Sequence, residues 1–243
     1  MEVTLNNPYY IAKLNNLIDE FFAVPDYNDP KYIKATPNWN TQANPEYWCS
    51  EDYLRKIIAR KDDHKGFPEE GMAQPIEYMV ERDNKWLSFR NKAREDFTLD
   101  IGAQHAALTN YYPPGGFVGW HTNWNASAYQ ILFTWSRTGE GYFRYLDLKT
   151  NNIVTIEDKP GWQCRWYYFG RQAEIDHHCW HSAYTYCDRF TLAYKFDNGA
   201  IGTDKDKQAQ FLRDELVNEL ESTSQYSRID IIGANGNEGL HYD

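Results

Sequence analysis

Three short stretches of this sequence carry side chains able to hold a metal ion or an anion. The first is Asn110-Tyr-Tyr-Pro-Pro-Gly-Gly-Phe-Val-Gly-Trp-His121-Thr-Asn123. The second, Asp176-His-His-Cys-Trp-His181, ends sixty residues after His121, and the third, Arg189-Phe-Thr191, begins eight residues further on. Imidazole nitrogens ligate metals, and a guanidinium pairs with carboxylates through a planar fork of donors. On a strand, His121 and Asn123 point to the same side, as do Arg189 and Thr191. The Pro-Pro-Gly-Gly turn fixes the direction of the chain between two strand-like segments. Ordinary alternatives exist for each residue. His121 alone would read as a buried or turn histidine satisfied by hydrogen bonds, and Arg189 as a surface ion-pair residue. The cluster Asp176, His177, His178, Cys179 and His181 also suits zinc, but structural zinc needs four ligands in paired knuckles and no second knuckle is visible.

These residues need strands to position them. Ala128–Trp135, Gly141–Leu146, Trp162–Phe169 and Arg189–Phe196 are short and rich in β-branched and aromatic residues. The turn signals Arg137-Thr-Gly-Glu-Gly, Lys149-Thr-Asn-Asn and Lys159-Pro-Gly separate them, a rhythm that predicts a sandwich or jelly-roll barrel. A jelly roll brings distant strands together, so it can place His121, His181 and Arg189 around one cavity. Upstream, Tyr10, Leu14, Leu17 and Phe21 recur at helical spacing, as do Leu54, Ile57 and Ile58. Pro75 followed by Ile76, Met79, Val80 and Trp86 predicts a helix with proline in its first turn. Phe211, Leu212, Leu216, Val217 and Leu220 mark one face of a C-terminal helix, and a polar, Gly/Asn-rich tail follows from Ser222. The expected organisation is a helical flank over 1–98 packing on a strand-rich core over 99–198, then a helix and polar tail over 199–243.

Composition narrows the classes. The chain has 243 residues, enough for one substantial domain, and a formal charge of −10, which argues against a sequence-independent grip on duplex nucleic acid. No stretch approaches the roughly 18 apolar residues that span a bilayer. The N-terminus lacks the basic and apolar blocks of a signal peptide. A soluble, cytoplasmic protein is expected, with its four cysteines reduced.

The motif set resembles that of the iron(II)/2-oxoglutarate oxygenases, which combine H-x-D/E, a distant His and Arg-x-Ser/Thr. The prolyl 4-hydroxylase-like branch is the most similar, through its Y-x-P-G-G…W-H-T-D type of segment; the nucleic-acid-demethylating branch shares the Asn-x-Tyr represented here by Asn110 and Tyr112. The resemblance spans about residues 100 to 197. It implies a mainly β fold with flanking helices, a double-stranded β-helix (jelly roll) in a single domain. It implies Fe(II) and 2-oxoglutarate as cofactors, with His121, Asn123 and His181 as metal ligands and His178 as an alternative distal ligand. Arg189 and Thr191 would hold the distal carboxylate of 2-oxoglutarate. Asn110 and Tyr112 would steady it from the other wall, and Lys195 would be an auxiliary cation. Trp120 and Trp124 would line the substrate pocket. The remaining partners implied are O2 and a peptide, protein or small-molecule substrate to be hydroxylated, with neither nucleic acid nor membrane.

Asn123 departs from the family's pattern, which has Asp or Glu there. A carboxamide oxygen can ligate, but it brings no negative charge. Asn123 is therefore a weak ligand, or Asp176 or Glu140 substitutes for it, or the site no longer holds iron. The alternative functions are a metal-weakened jelly-roll module binding a sugar or other ligand, and a structural or assembly protein.

Overall fold

Side chains alternate between two faces along each strand of this chain, and one face of each sheet finds the other sheet while its reverse finds helices or solvent. The computed structural model describes residues 1–35, 44–60, 68–123, 129–171, 174–196 and 201–223. The first elements are β1 (Glu2–Val3), α1 (Pro8–Phe22), β2 (Lys34–Ala35), α2 (Pro45–Trp48), α3 (Glu51–Ala59), β3 (Gly71–Pro75), α4 (Ile76–Arg82), α5 (Leu87–Asn91) and α6 (Phe97–Asp100). The core strands follow: β4 (His105–Tyr112), β5 (Phe117–His121), β6 (Tyr129–Ser136), β7 (Gly141–Asp147), β8 (Asn152–Glu157), β9 (Gly161–Tyr168), β10 (His181–Thr185) and β11 (Arg189–Phe196). The last element is α7 (Asp204–Glu221).

The core strands form two antiparallel layers, β9-β6-β11-β4 and β5-β10-β7-β8, and β3 pairs with both β4 and β5 to join them. Strands distant in sequence lie side by side, with β11 between β6 and β4 and β10 between β5 and β7. This is the double-stranded β-helix, or jelly roll, with helices against the outside of the larger sheet. Leu132, Tyr167 and Ala193 of the larger sheet meet Phe143 and Ala183 of the smaller one in the space between. Their strand neighbours Phe133, Trp166 and Tyr194 point the other way and join the helices in the main core.

Local chemistry sets the helices. Asn7 caps α1 by accepting from the Tyr9 amide at 3.0 Å, and Pro8 supplies the first helical residue. The helix then buries Tyr10, Leu14, Leu17 and Phe21, as the spacing predicts. Ser50 caps α3 in the same way, accepting from the Tyr53 amide at 3.1 Å, and α3 packs Tyr53, Leu54 and Ile57 around Trp120 of β5. Three sequence expectations shift. Pro75 ends β3 and stands just before α4 rather than within its first turn. Trp86 ends a separate short turn, Asn84–Trp86, beyond α4, and is fully buried there. On α7, Leu216 and Leu220 are buried while Phe211 faces out. The flank over 1–98 also contributes strands, β1 beside β9 and β3 bridging the two sheets. The polar tail beyond residue 223 lies outside the described residues.

A candidate metal and anion site between the sheets

The turn between β4 and β5 sets the position of His121. Gly115 has φ +82°, and at Gly116 a Cβ would lie 2.7 Å from the Pro113 carbonyl oxygen, so neither position accepts a larger residue without movement. The turn is tied to β10, because the Gly115 amide donates to the Thr185 carbonyl at 2.9 Å. Along β5 and β10, His121 stands opposite His181 and Val118 opposite Ala183. β5 thus takes three steps where β10 takes two, which is a β-bulge. The bulge reverses the alternation. Val118 packs between the sheets, whereas Phe117 and Trp120 pack outside.

The bulge brings the two histidines together. Their ring centroids are 4.1 Å apart at 48°. His121 Nδ1 lies 2.9 Å from the Gly119 carbonyl oxygen and His181 Nδ1 lies 2.8 Å from the Cys179 carbonyl oxygen. A carbonyl only accepts, so each Nδ1 carries the proton and each Nε2 carries the lone pair, the usual state of a metal-ligating imidazole. Phe169 and Phe143 surround the His181 ring at 4.7 and 5.7 Å. Burial pushes the pKa of His181 down to about 4, so the ring is neutral at pH 7. His178, the alternative distal ligand, instead directs Nε2 to the Arg171 carbonyl at 2.8 Å. Asn123 lies two residues past His121, just beyond the end of β5.

Among the described residues no group of three or more His, Cys, Asp or Glu side chains is placed to hold a metal. Neither acidic substitute for Asn123 joins the pair. Asp176 is exposed in a short turn, and Glu140 precedes β7 at the end remote from His181. The Asp176–His181 cluster likewise makes no zinc knuckle there.

The expected anion-binding residues share one wall. Arg189 is the cross-strand partner of Tyr112, and Thr191 that of Asn110. The Arg189 guanidinium sits 5.5 Å from the centre of the Tyr112 ring, and Asn110 Nδ2 approaches the Tyr112 hydroxyl at 3.4 Å. Arg189 Nη1 donates to Thr191 Oγ1 at 2.7 Å. Lys195 shares the face but lies at the far end of β11. Trp120 is fully buried against α3, on the opposite side of β5 from Val118, so a pocket between the sheets does not reach it. Trp124 lies outside the described residues.

The structure adds a residue that the sequence did not single out. Arg189 Nε donates to Asp158 Oδ2 at 2.8 Å, in a pair whose side chains are 3% and 0% exposed. Burial alone would lower the Arg189 pKa; the Asp158 carboxylate reverses that and raises it. Asp158 precedes the Lys159-Pro-Gly turn, which in sequence signals only a change of direction.

No protein-family model matches this chain, and no curated protein matches it. Solved structures do align with it at low similarity. A prolyl-4-hydroxylase from Pseudomonas putida is 13% identical, over 72% of this chain and 97% of that one, with a TM-score of 0.28. YcfD, a ribosomal oxygenase from Escherichia coli, is 12% identical over 87% of this chain and 54% of that one, with a TM-score of 0.30. An oxalate oxidase is 15% identical over 48% and 61%, with a TM-score of 0.28.

Proposed function

We propose that this protein is an Fe(II)- and 2-oxoglutarate-dependent oxygenase that hydroxylates a peptide or protein side chain or a small molecule. The observation that supports this best is the His121–His181 pair. Two buried imidazoles sit in register on adjacent strands, each held by a backbone carbonyl in the tautomer that leaves Nε2 as the donor. That donor set fits a ferrous ion. Imidazole suits iron, and a carbonyl holding the second ring nitrogen is the common outer support of such ligands.

In this reading His121 and His181 ligate through Nε2, and Asn123 adds its carboxamide oxygen. Bound there, iron and 2-oxoglutarate would together activate O2, one oxygen atom going to hydroxylate an unactivated C–H bond and the other to the succinate formed with carbon dioxide from 2-oxoglutarate. The chain's own residues bind, orient and exclude. Arg189 and Thr191, with Asn110 and Tyr112 opposite them across β4, form the wall that orients the cosubstrate. Phe143 and Phe169 keep water from the His181 ring, which strengthens every charge interaction at the site. Because Asn123 is neutral, the anionic cosubstrate provides the negative charge that a carboxylate ligand would otherwise bring. Iron and 2-oxoglutarate should therefore bind with strong mutual dependence. The cytoplasm is the compartment that fits reduced cysteines.

The test is anaerobic titration of the purified chain with Fe(II) and 2-oxoglutarate, following the visible charge-transfer band of the chelate. The wild type should show the band, His121→Ala should lose it, and Asn123→Asp should tighten iron by about 10-fold or more. A band in Asn123→Asp alone would mean a site that no longer holds iron. No band in any variant would sink the oxygenase reading in favour of a binding module.

A further inference from the structure

The interior of the barrel holds a second arginine, and among the described residues this one has no ion-pair partner, although the exposed Glu2 carboxylate beside it feels its charge. Arg165 lies at the middle of β9, opposite Leu132 of β6. Residues directly opposite on antiparallel strands share a face. Leu132 packs between the sheets, and so does Tyr167, two residues along β9. The flanking residues Cys164 and Trp166 belong to the helix-side core. Arg165 is therefore directed into the barrel, and it is only 8% exposed. Its guanidinium makes no hydrogen bond or ion pair with any described residue.

The carboxylates that might neutralise it are committed elsewhere. Asp158 holds Arg189. Glu2, the cross-strand neighbour of Arg165 on β1, pairs with Lys159 at 3.1 Å and is 62% exposed. The same face of β9 carries two further unsatisfied groups. The Tyr167 hydroxyl and Gln163 Oε1 are buried without a partner. Both Arg165 and Arg189 act on the Tyr167 hydroxyl, favouring its ionised form against the larger opposing effect of burial. A hydroxyl buried without a partner is costly, and a carboxylate held by the neighbouring guanidinium would satisfy it.

We propose that Arg165 and Tyr167 form an anion anchor on the inner face of β9 that takes the carboxylate of a small organic acid. Arg165 would pair with the carboxylate through its fork, and the Tyr167 hydroxyl would donate to the same group. Arg189, already neutralised by Asp158, would then contribute hydrogen bonds but little net charge. The anchor rests on the oxygenase reading for which acid it holds, 2-oxoglutarate or an acidic primary substrate, and not for its existence.

Calorimetric titration of the metal-free chain with glutarate and 2-oxoglutarate tests this. Glutarate has two carboxylates and no keto group to chelate a metal. The wild type should bind both acids. Arg165→Gln should lose about tenfold or more in affinity, Tyr167→Phe less, and Arg165→Lys should recover part of the loss. Because the Arg165 side chain makes no hydrogen bond or ion pair with a described residue, Arg165→Gln should melt close to the wild type in the absence of acid, so lost binding would not reflect unfolding. Co(II) binding at the His121–His181 pair should be unchanged in this variant. With Fe(II) present, weaker binding of 2-oxoglutarate but not of 2-oxobutyrate would assign the anchor to the cosubstrate's distal carboxylate. Unchanged 2-oxoglutarate affinity with lost glutarate binding would assign it to the primary substrate. Wild-type acid affinity in Arg165→Gln, or no acid binding by the wild type, would overturn the anchor. Acid binding that depends on Arg165 in a chain that binds no metal would sustain the anchor while ending the oxygenase reading.

Discussion

His181 couples the chemistry of the site to the stability of the fold. Its ring is buried among Phe143 and Phe169, and its pKa is about 4 in the folded chain against an ordinary value of 6.5. The unfolded chain therefore binds a proton in the window from about pH 6.5 to 4 that the folded chain refuses. Stability contributed by the neutral ring is complete above pH 6.5 and declines as the pH falls towards 4, by an amount on the order of 2–4 kcal/mol. Urea melts of the chelator-treated protein at pH 7 and pH 5 should show this fall, and His181→Phe should flatten the difference. An equal slope in wild type and variant would assign the pH dependence to other groups. Arg189 and Asp158 illustrate a different rule at the same scale. A buried pair adds little to stability in itself, but removing one partner leaves a buried charge.

At the scale of the element, the bulge in β5 decides which residues reach the site. Without the extra residue, alternation would place Trp120 on the same face as Val118. Its partners Tyr53, Leu54 and Ile57 on α3 would then have no counterpart. Gly119 makes the bulge possible. Its amide donates to the Glu70 carbonyl at 2.9 Å, and a Cβ there would fall 2.9 Å from that same oxygen. Gly119 also accepts from His121 Nδ1, so movement of its backbone moves the ring. Gly119→Ala should cost about 1–3 kcal/mol in a denaturant melt and weaken metal binding several-fold, whereas an overpacking cost alone would leave the metal titration untouched. Metal affinity unchanged in a destabilised Gly119→Ala would separate the bulge from the histidine pair.

Across the whole molecule, a single main core links all three stretches of chain. Phe21 from the N-terminal flank, Phe190 from the strand-rich middle and Leu220 from the C-terminal helix belong to one buried cluster. Phe21 is fully buried, with the rings of Phe190, Tyr111 and Trp86 at 4.5, 4.9 and 5.0 Å. Phe21→Ala should cost about 3–5 kcal/mol and lower the melting temperature by roughly 6–20 °C in one cooperative transition. Two separated transitions by calorimetry would show that flank and barrel unfold apart. Within the described residues no helix is long and apolar enough to cross a membrane.

The sequence by itself determined the elements that depend on local chemistry. Tyr10, Leu14, Leu17 and Phe21 marked α1, Arg189–Phe196 marked β11 to the residue, and the Pro-Pro-Gly-Gly turn and the jelly-roll rhythm were legible because turn chemistry and side-chain alternation act between near neighbours. β10 passed unnoticed, since its mixed His-Ser-Ala-Tyr-Thr sequence gains its strand character from pairing with β5 and β7, while β8 was missed although Ile153, Val154, Thr155 and Ile156 carry a local strand signal. Tertiary structure alone decided that a bulge sends Trp120 outward, that His181 rather than His178 meets His121, and that Asp158 neutralises Arg189 while the Arg165 guanidinium finds no ion pair among the described residues. Each of these depends on which distant strand lies alongside and in what register. One residue of register exchanges the two faces of a strand, and no local pattern in this chain records that choice.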